Sequence, residues 1–453
     1  MLNKRFLHKV SRFIAQHGLM EHSRKYLVAL SGGADSVALT LALKELGYDV
    51  EAAHCNFRLR GSESERDENF CKDFCNDNGI SLHLAHFDTA TYAALHKVSI
   101  EMAARNLRYD YFSRLAADIG AAATCVAHHQ DDSVETVLLN LIRGTGVDGL
   151  TGIKPRNGGI VRPLLCVTRD EIETAMAEAG QAYVTDSTNL VNDVVRNKIR
   201  LDILPLMRTI NPSASQSIAA TARRVSEAAA ALDAMAAKAA AEAVSHRGRA
   251  TLISIPSLMA QPAPGYTLFK LLKGYAFTPT QIEQLRQAMQ AGPGRTFTSP
   301  THTLLVDRDS LVIEPNANAA PRPLVIPECG TYLYGEHAKF RIAKTLRDQN
   351  FKIPTGDKRR CMADASAVAF PLTVRPAAPG DRFTPFGMKG TKLVSDYLTD
   401  AKLNLFDKRR QPIVADARGR IVWLVGLRTD NRFRITDKTT EVIEITYTAD
   451  EGA

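Results

Sequence analysis

Through its first two hundred residues the chain alternates short apolar runs with segments of helical period, and this limits the fold more than any other feature. Residues 26–30, 50–54, 82–87 and 124–127 read as buried strands. Residues 36–46, 63–78 and 100–117 read as helices, as does the segment from Asp132, whose apolar positions are Val134, Val137, Leu138, Leu141 and Ile142. Strands separated by helices of this length build a parallel sheet with helices on both faces. The pattern decays after Arg200, where Pro205 and Pro212 interrupt it, so a doubly wound α/β domain is expected over residues 1–212.

At 453 residues the chain is too long for one ordinary domain. Residues 213–244 are alanine-rich, with Ile218, Val225 and Leu232 repeating every seven, the mark of a long helix packing one narrow stripe. That helix opens a small helical domain over 213–320, which also holds a hairpin at 303–313. Proline-rich sequence from Pro315 to Pro327 links onward, and residues 330–453 read as a β-rich α+β domain. The basic, amphipathic start reads as a structural first helix in preference to a transit peptide, because Glu21 arrives early and a strand follows directly. No run approaches eighteen apolar residues, so no membrane partner is expected. The seven cysteines are sparse, odd in number and without a C-x-x-C pair, which suits reduced thiols and a cytoplasmic location. Cys71 and Cys75, four apart, read as buried small hydrophobes. A net charge of +8 fits a polyanion partner, with simple solubility as the alternative.

Between the first strand and its helix lies Ser31-Gly32-Gly33-Ala34-Asp35-Ser36. Glycines there let several backbone N–H groups turn toward one anion at a helix N-terminus. Ser31 and Ser36 add hydroxyl donors, and Asp35 supplies a carboxylate for a Mg²⁺ beside a polyphosphate. The Walker pattern is absent. The six residues resemble the S-G-G-x-D-S loop of the N-type ATP pyrophosphatases, which cleave ATP between its α- and β-phosphates. Gly144 to Gly149 satisfies G-x-G-x-x-G but closes a helix where the dinucleotide fingerprint must open one, so a nicotinamide site is not expected.

Three polar clusters follow. His128-His129-Gln130-Asp131-Asp132, with Glu135 and Thr136, falls at the end of the fourth strand, where ligands of open parallel sheets bind. Two carboxylates and two imidazoles there suit binding an ammonium group, holding Mg²⁺ or moving a proton; Asp131 and Asp132 equally suit capping the helix. Arg105 and Arg108 share a helix face that suits a phosphate clamp or a solvated basic surface. Arg196, Asn197, Lys198 and Arg200 form a donor-rich group suited to an RNA backbone or to a helix end.

Taken in order, these clusters resemble the tRNA(Ile)-lysidine synthetase family. Residues 54–64 are similar to its H-x-N-x-x-L-R-G-x-E-S motif, 101–109 to E-x-A-A-R-x-x-R-Y, and 128–136 to H-H-x-D-D-x-x-E-T. Residues 143–150, Arg162-Pro163-Leu164-Leu165 and Arg196 to Arg200 complete the catalytic part. Arg375-Pro376, the stretch Pro379 to Phe383, Gly387 to Gly390 and Gly426-Leu427-Arg428 resemble the C-terminal substrate-binding part. The middle matches only in being helical, and Phe57 stands where many members carry histidine.

The resemblance implies an adenine-nucleotide-hydrolase-like sheet and a ligase using ATP and Mg²⁺. ATP would adenylate the C2 oxygen of the wobble cytidine of a CAU-anticodon tRNA(Ile), and the ε-amine of free L-lysine would displace AMP. Ser31, Gly32, Gly33, Ala34, Asp35 and Ser36 would hold the pyrophosphate, with Asp35 the metal ligand. Arg105 and Arg108 would bind the nucleotide. Asp132 and Glu135 would meet the lysine ammonium or the cytidine edge, His129 would accept a proton, and Arg196 would contact adenylate or RNA. Arg382, Lys389, Lys392, Lys402, Lys408, Arg409 and Arg410, interleaved with Phe383, Phe386 and Tyr397, would grip the tRNA. A thiolase-type tRNA modifier is the nearest rival, and a tRNA-binding relative without catalysis is a second. A homodimer is one expectation for the assembly, and nothing in the residues selects an oligomeric state.

Overall fold

The computed structural model describes residues 1–59, 61–185, 195–316, 321–335, 338–347, 351 and 356–449. Arg60 and the end of the middle segment at 317–320 lie outside them. The chain divides into two units, Met1–Ala231 and Leu232–Ala453.

The first unit follows from the alternation in the sequence. Its elements are α1 (Lys4–Gln16), β1 (Lys25–Ala29), α2 (Ala34–Glu45), β2 (Asp49–Asn56), α3 (Ser62–Asp77), β3 (Leu82–His86), α4 (Thr89–His96), α5 (Ile100–Asp118), β4 (Thr124–Cys125), α6 (Gln130–Arg143), β5 (Arg156–Asn157), β6 (Ile160–Val161), α7 (Arg169–Glu178), α8 (Val195–Lys198) and α9 (Leu204–Ile210). The sheet order is β3-β2-β1-β4-β6-β5, parallel except for the β5–β6 hairpin. Buried on both faces, β1 carries Tyr26, Leu27 and Val28 into the core, as a central parallel strand requires. Leu27 pairs with Thr124 and Val28 with Cys125, so β1 and β4 end at the same edge. Residues 126 and 127 leave the β4 ladder, although the Val126 N–H still reaches the Val161 carbonyl at 2.9 Å.

The first helix is structural. Asn3 caps it through the Phe6 N–H at 2.8 Å, and Phe6, Val10 and Ile14 insert into the core with α2. Cys71 and Cys75 are buried there as well. Between α8 and α9 the chain forms one π-turn over Ile199–Ile203, just before Pro205, which has no N–H to continue an ordinary helical ladder.

Helix α10 (Ala214–Ala243) contains the division between the units. Its seven-residue repeat is present, but Ile218, Val225 and Leu232 are only partly buried, while Ala222, Ala229 and Ala236, four residues beyond each, are buried, as are Ala239 and Ala243. Small side chains at these positions allow close approach of a neighbour.

The second unit opens with an antiparallel sheet β7 (Val244–Arg247), β8 (Ala250–Ser254), β9 (Thr296–Thr298), β10 (His302–Val306) and β11 (Ser310–Pro315), in the order β7-β8-β11-β10-β9. Helices α11 (Ile255–Met259), α12 (Pro264–Lys273) and α13 (Pro279–Ala291) share its core. The β10–β11 hairpin is the one the sequence announces. The β7–β8 hairpin adds to it, its turn made by Gly248 at φ +56°.

Beyond it lie β12 (Leu324–Ile326), β13 (Gly330–Tyr334), β14 (Ala338–Leu346), β15 (Arg360–Asp364), β16 (Leu372–Pro376), β17 (Arg382–Phe383), β18 (Lys392–Leu393), α14 (Val394–Asp400), α15 (Leu405–Arg410), β19 (Pro412–Ala415), β20 (Ile421–Leu424), β21 (Arg428–Thr429) and β22 (Glu441–Ala449). Two sheets, β13-β14-β22-β15 and β12-β16-β19-β20-β21, share one core around Phe340, Trp423 and Phe433. Among the described residues no helix is long and apolar enough to cross a membrane.

Trp423 is the chain's single tryptophan and shares this core with Phe340, both nearly inaccessible to solvent. The Phe340→Ala variant is expected to lose about 3–5 kcal/mol of stability, read as an earlier denaturant midpoint of Trp423 fluorescence. An unchanged midpoint would contradict the packing described.

Candidate active site

The phosphate loop is held from below and left open above. Gly32 has φ +89°, and a Cβ there would meet Cys71 Sγ at 3.3 Å and Phe70 Cδ1 at 3.4 Å. Any side chain would therefore be both strained and crowded. The Gly32 carbonyl accepts from Val184 N–H at 2.9 Å, and Ser36 Oγ accepts from Ser31 N–H at 3.1 Å and donates to the Gly33 carbonyl at 2.9 Å. Beneath the loop, His54 Nδ1 lies 3.0 Å from the Leu30 carbonyl. Helix α2 begins at Ala34 without a side-chain cap, so its first N–H groups remain available to an anion.

Asp35 faces the β4 segment across the strand ends. Its Oδ2 is 2.6 Å from Arg169 Nη1 and 3.8 Å from His129 Nε2. Its Oδ1 is buried and has no hydrogen-bond partner. Burial raises the carboxyl above its ordinary range, with His129 and Arg169 opposing the rise. The His129 ring, itself buried, lies among three carboxylates. Nδ1 is 3.6 Å from Asp131 Oδ2, Nε2 is 3.5 Å from Asp132 Oδ2, and Nδ1 is unpartnered. These separations exceed hydrogen-bond length, so the ring is surrounded rather than clamped.

The acidic pair divides its work. Asp132 Oδ2 accepts from the His129 N–H at 2.9 Å, and Asp131 Oδ2 accepts from the Arg169 N–H at 2.9 Å. Capping and site chemistry thus use the same carboxylates. Burial alone would raise Asp132, but His129 and Arg196 hold it below its usual range. Glu135 lies deeper, 1% exposed, with Oε2 at 2.7 Å from Arg196 Nε and Oε1 at 2.6 Å from Arg200 Nε. Arg196 Nη2 also reaches Asp132 Oδ1 at 3.0 Å. Glu135 therefore anchors two arginines, and both of its oxygens are taken.

On α5 the exposed Arg105 stacks on Tyr109, and Arg108 on Phe57, each with its guanidinium carbon 5.2 Å from the ring centre. Phe57, the departure from the family pattern, is the platform for Arg108 and stacks on Phe87 at 5.6 Å. Gly144 ends α6 and a single 3₁₀ turn follows, so the G-x-G-x-x-G match opens no strand-borne helix.

The structure therefore brings Asp35, His129, Asp131 and Asp132 together, with Arg196 joined through Asp132. Arg169 is the addition that sequence reasoning missed. It opens α7 behind a Thr168–Glu171 capping box and follows β6, a strand of two residues preceded by two glycines. Recognising β6 would have placed this helix start at the same sheet edge.

Among the described residues no group of three His, Cys, Asp or Glu side chains is arranged to hold a metal by itself. A carboxylate oxygen without a partner beside an anion loop is nonetheless the donor set Mg²⁺ takes when substrate phosphates complete its shell. The cysteines are unpaired, and burial pushes Cys55, Cys166 and Cys361 up to about 12, and Cys75 up to about 11. Such thiols are poor nucleophiles.

In the second unit, several of the basic residues assigned to tRNA are engaged internally. Lys392 pairs with Asp400, Lys408 reaches Thr399, and Arg410 pairs with the buried Glu314 at 2.5 Å. Phe383 is buried, with Tyr397 packed edge-on against it; Phe386 is exposed, as are Arg382, Lys389, Lys402 and Arg409.

Family models match three stretches: a PP-loop domain over residues 2–207, a TilS substrate binding domain over 246–316, and a TilS substrate C-terminal domain over 372–445. The chain is 44% identical to the tRNA(Ile)-lysidine synthase of Bacteroides thetaiotaomicron, covering 96% of this chain and 98% of that one. It is 45% identical to that of Parabacteroides distasonis, covering 97% and 99%. The Bacillus subtilis tRNA(Ile)-lysidine synthase is 29% identical over 92% of this chain and 93% of its own.

Two outcomes follow from the geometry. Glu135→Gln should lower stability by about 3 kcal/mol, the lower end for a broken buried pair because both guanidinium groups reach solvent; an unchanged melting temperature would contradict the anchoring. Burial holds the His128 imidazole down to about 4. The unfolded chain takes up that proton near the ordinary value of about 6.5, so this residue's contribution is complete above that pH and is lost as pH falls toward 4. Ring-proton NMR should show His128 neutral at pH 5.5; a midpoint near 6.5 would contradict its burial.

Proposed function

Because the chain belongs to the tRNA(Ile)-lysidine synthase family, we propose that the site around Asp35 and His129 performs that family's two-step ligation. The chain is an ATP-using carbon–nitrogen ligase acting on tRNA. In the first step the C2 oxygen of the wobble cytidine of a CAU-anticodon tRNA(Ile) attacks the α-phosphorus of ATP, and pyrophosphate leaves. In the second the ε-amine of free L-lysine attacks C2, AMP leaves with the C2 oxygen, and the amine gives up a proton.

The observation that carries this reading is the closeness of the anion loop to the double-histidine segment, 3.8 Å between Asp35 and His129. One substrate phosphate can thus lie at the loop while the reacting base lies at His129. The uncapped start of α2 and the Ser31 and Ser36 hydroxyls seat the leaving pyrophosphate. Asp35 Oδ1, buried and unpartnered, is the atom that would hold a Mg²⁺ ion. Such an ion would supply charge neutralisation on the leaving group.

His129 Nδ1, also without a partner, takes the proton of the attacking amine. Asp132 stands beside it to draw the lysine ammonium. Glu135 acts through Arg196 and Arg200, presenting Arg196 toward adenylate or RNA. Arg105 and Arg108 bind the nucleotide from α5, each backed by an aromatic ring. The middle and C-terminal domains, over 213–320 and 330–453, grip the tRNA, with Arg382, Lys389, Lys402 and Arg409 the exposed cations that serve it.

The decisive assay incubates the protein with ATP, radiolabelled lysine and a CAU-anticodon tRNA transcript. Label should enter the RNA with one pyrophosphate per lysine, and a transcript with uridine at the wobble position should stay unlabelled. Asp35→Asn should lower kcat by about 100-fold or more. Absence of RNA-bound lysine, or pyrophosphate release without tRNA dependence, would overturn the reading.

A further inference from the structure

Arg162 is buried, 8% exposed, at the end of β6 and beside the site. Its hydrogen bonds go to neutral groups: Nε donates to His128 Nδ1 at 3.1 Å, Nη1 donates to the Lys154 carbonyl at 2.9 Å, and the Tyr109 hydroxyl is a further partner. Among the described residues no carboxylate pairs with it. This sets it apart from the other enclosed arginines. Arg169 has Asp35 and Glu173, Arg200 has Glu135, Arg375 has Asp381, Arg410 has Glu314, and Arg432 has Asp430. In each of those the guanidinium is held more firmly protonated, despite burial, by its acid. Arg162 shifts the other way, because burial and then Arg105 act against its charge.

A guanidinium does not lose its proton in a protein, and a desolvated charge without a counter-charge is costly. His128 cannot supply one, and Arg105 adds a second cation at the solvent-facing rim. The charge imbalance is therefore built in, and a bound anion would relieve it.

We propose that Arg162, with Tyr109 and Arg105, forms a second phosphate-binding site, separate from the loop at Ser31–Ser36. The ligand is a phosphate ester carrying one or two negative charges. Two sources present that chemistry: the α-phosphate of the nucleotide, and a backbone phosphodiester of the RNA beside the reacting base. The position favours neither by itself. Along the sheet edge the anion loop follows β1, the histidine pair follows β4, and Arg162 follows β6, in the order in which these strands neighbour one another. A phosphate at Arg162 therefore lies beyond the histidines from the pyrophosphate. The inference rests on the ligase reading above, since it takes the substrates from it.

The test uses the full-length protein in three forms: wild type, Arg162→Gln and Arg162→Lys, with Arg105→Gln as an exposed companion that leaves the buried contacts intact. ATP affinity is measured without tRNA, and tRNA(Ile) affinity without ATP at several salt concentrations. If the nucleotide is the source, Arg162→Gln and Arg105→Gln each weaken ATP binding by roughly tenfold or more, and tRNA binding is unmoved. If RNA is the source, Arg162→Gln weakens tRNA binding and lowers its logarithmic salt slope by about one with ATP affinity unmoved, while Arg105→Gln, already a nucleotide contact, lowers both affinities. Arg162→Lys, keeping the charge, restores part of whichever affinity was lost. A purely structural role would change the melting temperature without a selective loss or a change of slope. Arg162→Gln that binds both substrates as wild type does would overturn the site, whatever Arg105→Gln does. Wild-type protein that binds both but makes no lysidine would instead remove the ligase reading and leave the phosphate site standing.

Discussion

Everything at the site depends on two strands running side by side in the same direction. The β1–β4 pairing sets Val28 opposite Cys125, and the chain then leaves each strand at one edge. Asp35, seven residues after Val28, and His129, four after Cys125, meet there although ninety-four positions apart in sequence. A parallel ladder is the arrangement that makes this automatic, because each crossover returns the chain to the same starting side. Had β4 run antiparallel, the acidic segment would leave from the opposite edge. The core residues of β1 are therefore as much a part of the chemistry as the loop they support.

The edge concentrates charge, and most of it is matched. Asp132 and Glu135 are tied to Arg196 and Arg200, and Asp35 Oδ2 to Arg169, by direct ion pairs, while Asp131 accepts from the Arg169 backbone N–H. A buried ion pair adds little net stability, but it fixes geometry, since either partner alone would be strongly unfavourable. What is left unmatched is then informative. Asp35 Oδ1 and His129 Nδ1 are buried without partners, and Arg162 lacks a counter-charge. One acceptor, one ring nitrogen and one cation line the sheet edge, the set of complements a cation, an amine proton and a phosphate would require.

Much of this was legible in the sequence because the informative signals were local. The phosphate loop sits within six residues, and its neighbours Leu30 and Val37 announce strand and helix by their apolar surroundings. His129, Asp132 and Glu135 read as one face of a helix start. Their division of labour did not, because nothing in a spacing of three says that Glu135 will be covered by Arg196 and Arg200 from sixty residues away. Likewise Leu141 and Ile142 continue the apolar spacing of α6, yet they are exposed. Periodicity identifies the helix and its face but not how far the neighbouring layer extends over it. Arg169 escaped notice for a third reason, and Arg162 was legible only as part of a motif, without a role. Both follow β6, whose two residues carry too little pattern to register as a strand.

The second unit shows how the same physics limits a charge-based reading of nucleic-acid contact. Lys392, Lys408 and Arg410 are basic in sequence but spoken for in structure, and Arg375, Arg420 and Arg432 are each bound to a nearby aspartate. A guanidinium already sharing a carboxylate offers a phosphate little, because binding must first replace a good partner. Net charge therefore overstates the surface available to a polyanion. Of the cations assigned to tRNA from the sequence, the exposed Arg382, Lys389, Lys402 and Arg409 remain once these internal bonds are subtracted, together with the exposed Phe386. Arg410 does different work: its bond to the buried Glu314, reinforced by Phe406 packed among Ala250, Leu305 and Val312, ties α15 to the β8–β11–β10 sheet. Within this unit the middle sheet and α15 are thus coupled by a charge pair set beside an apolar patch.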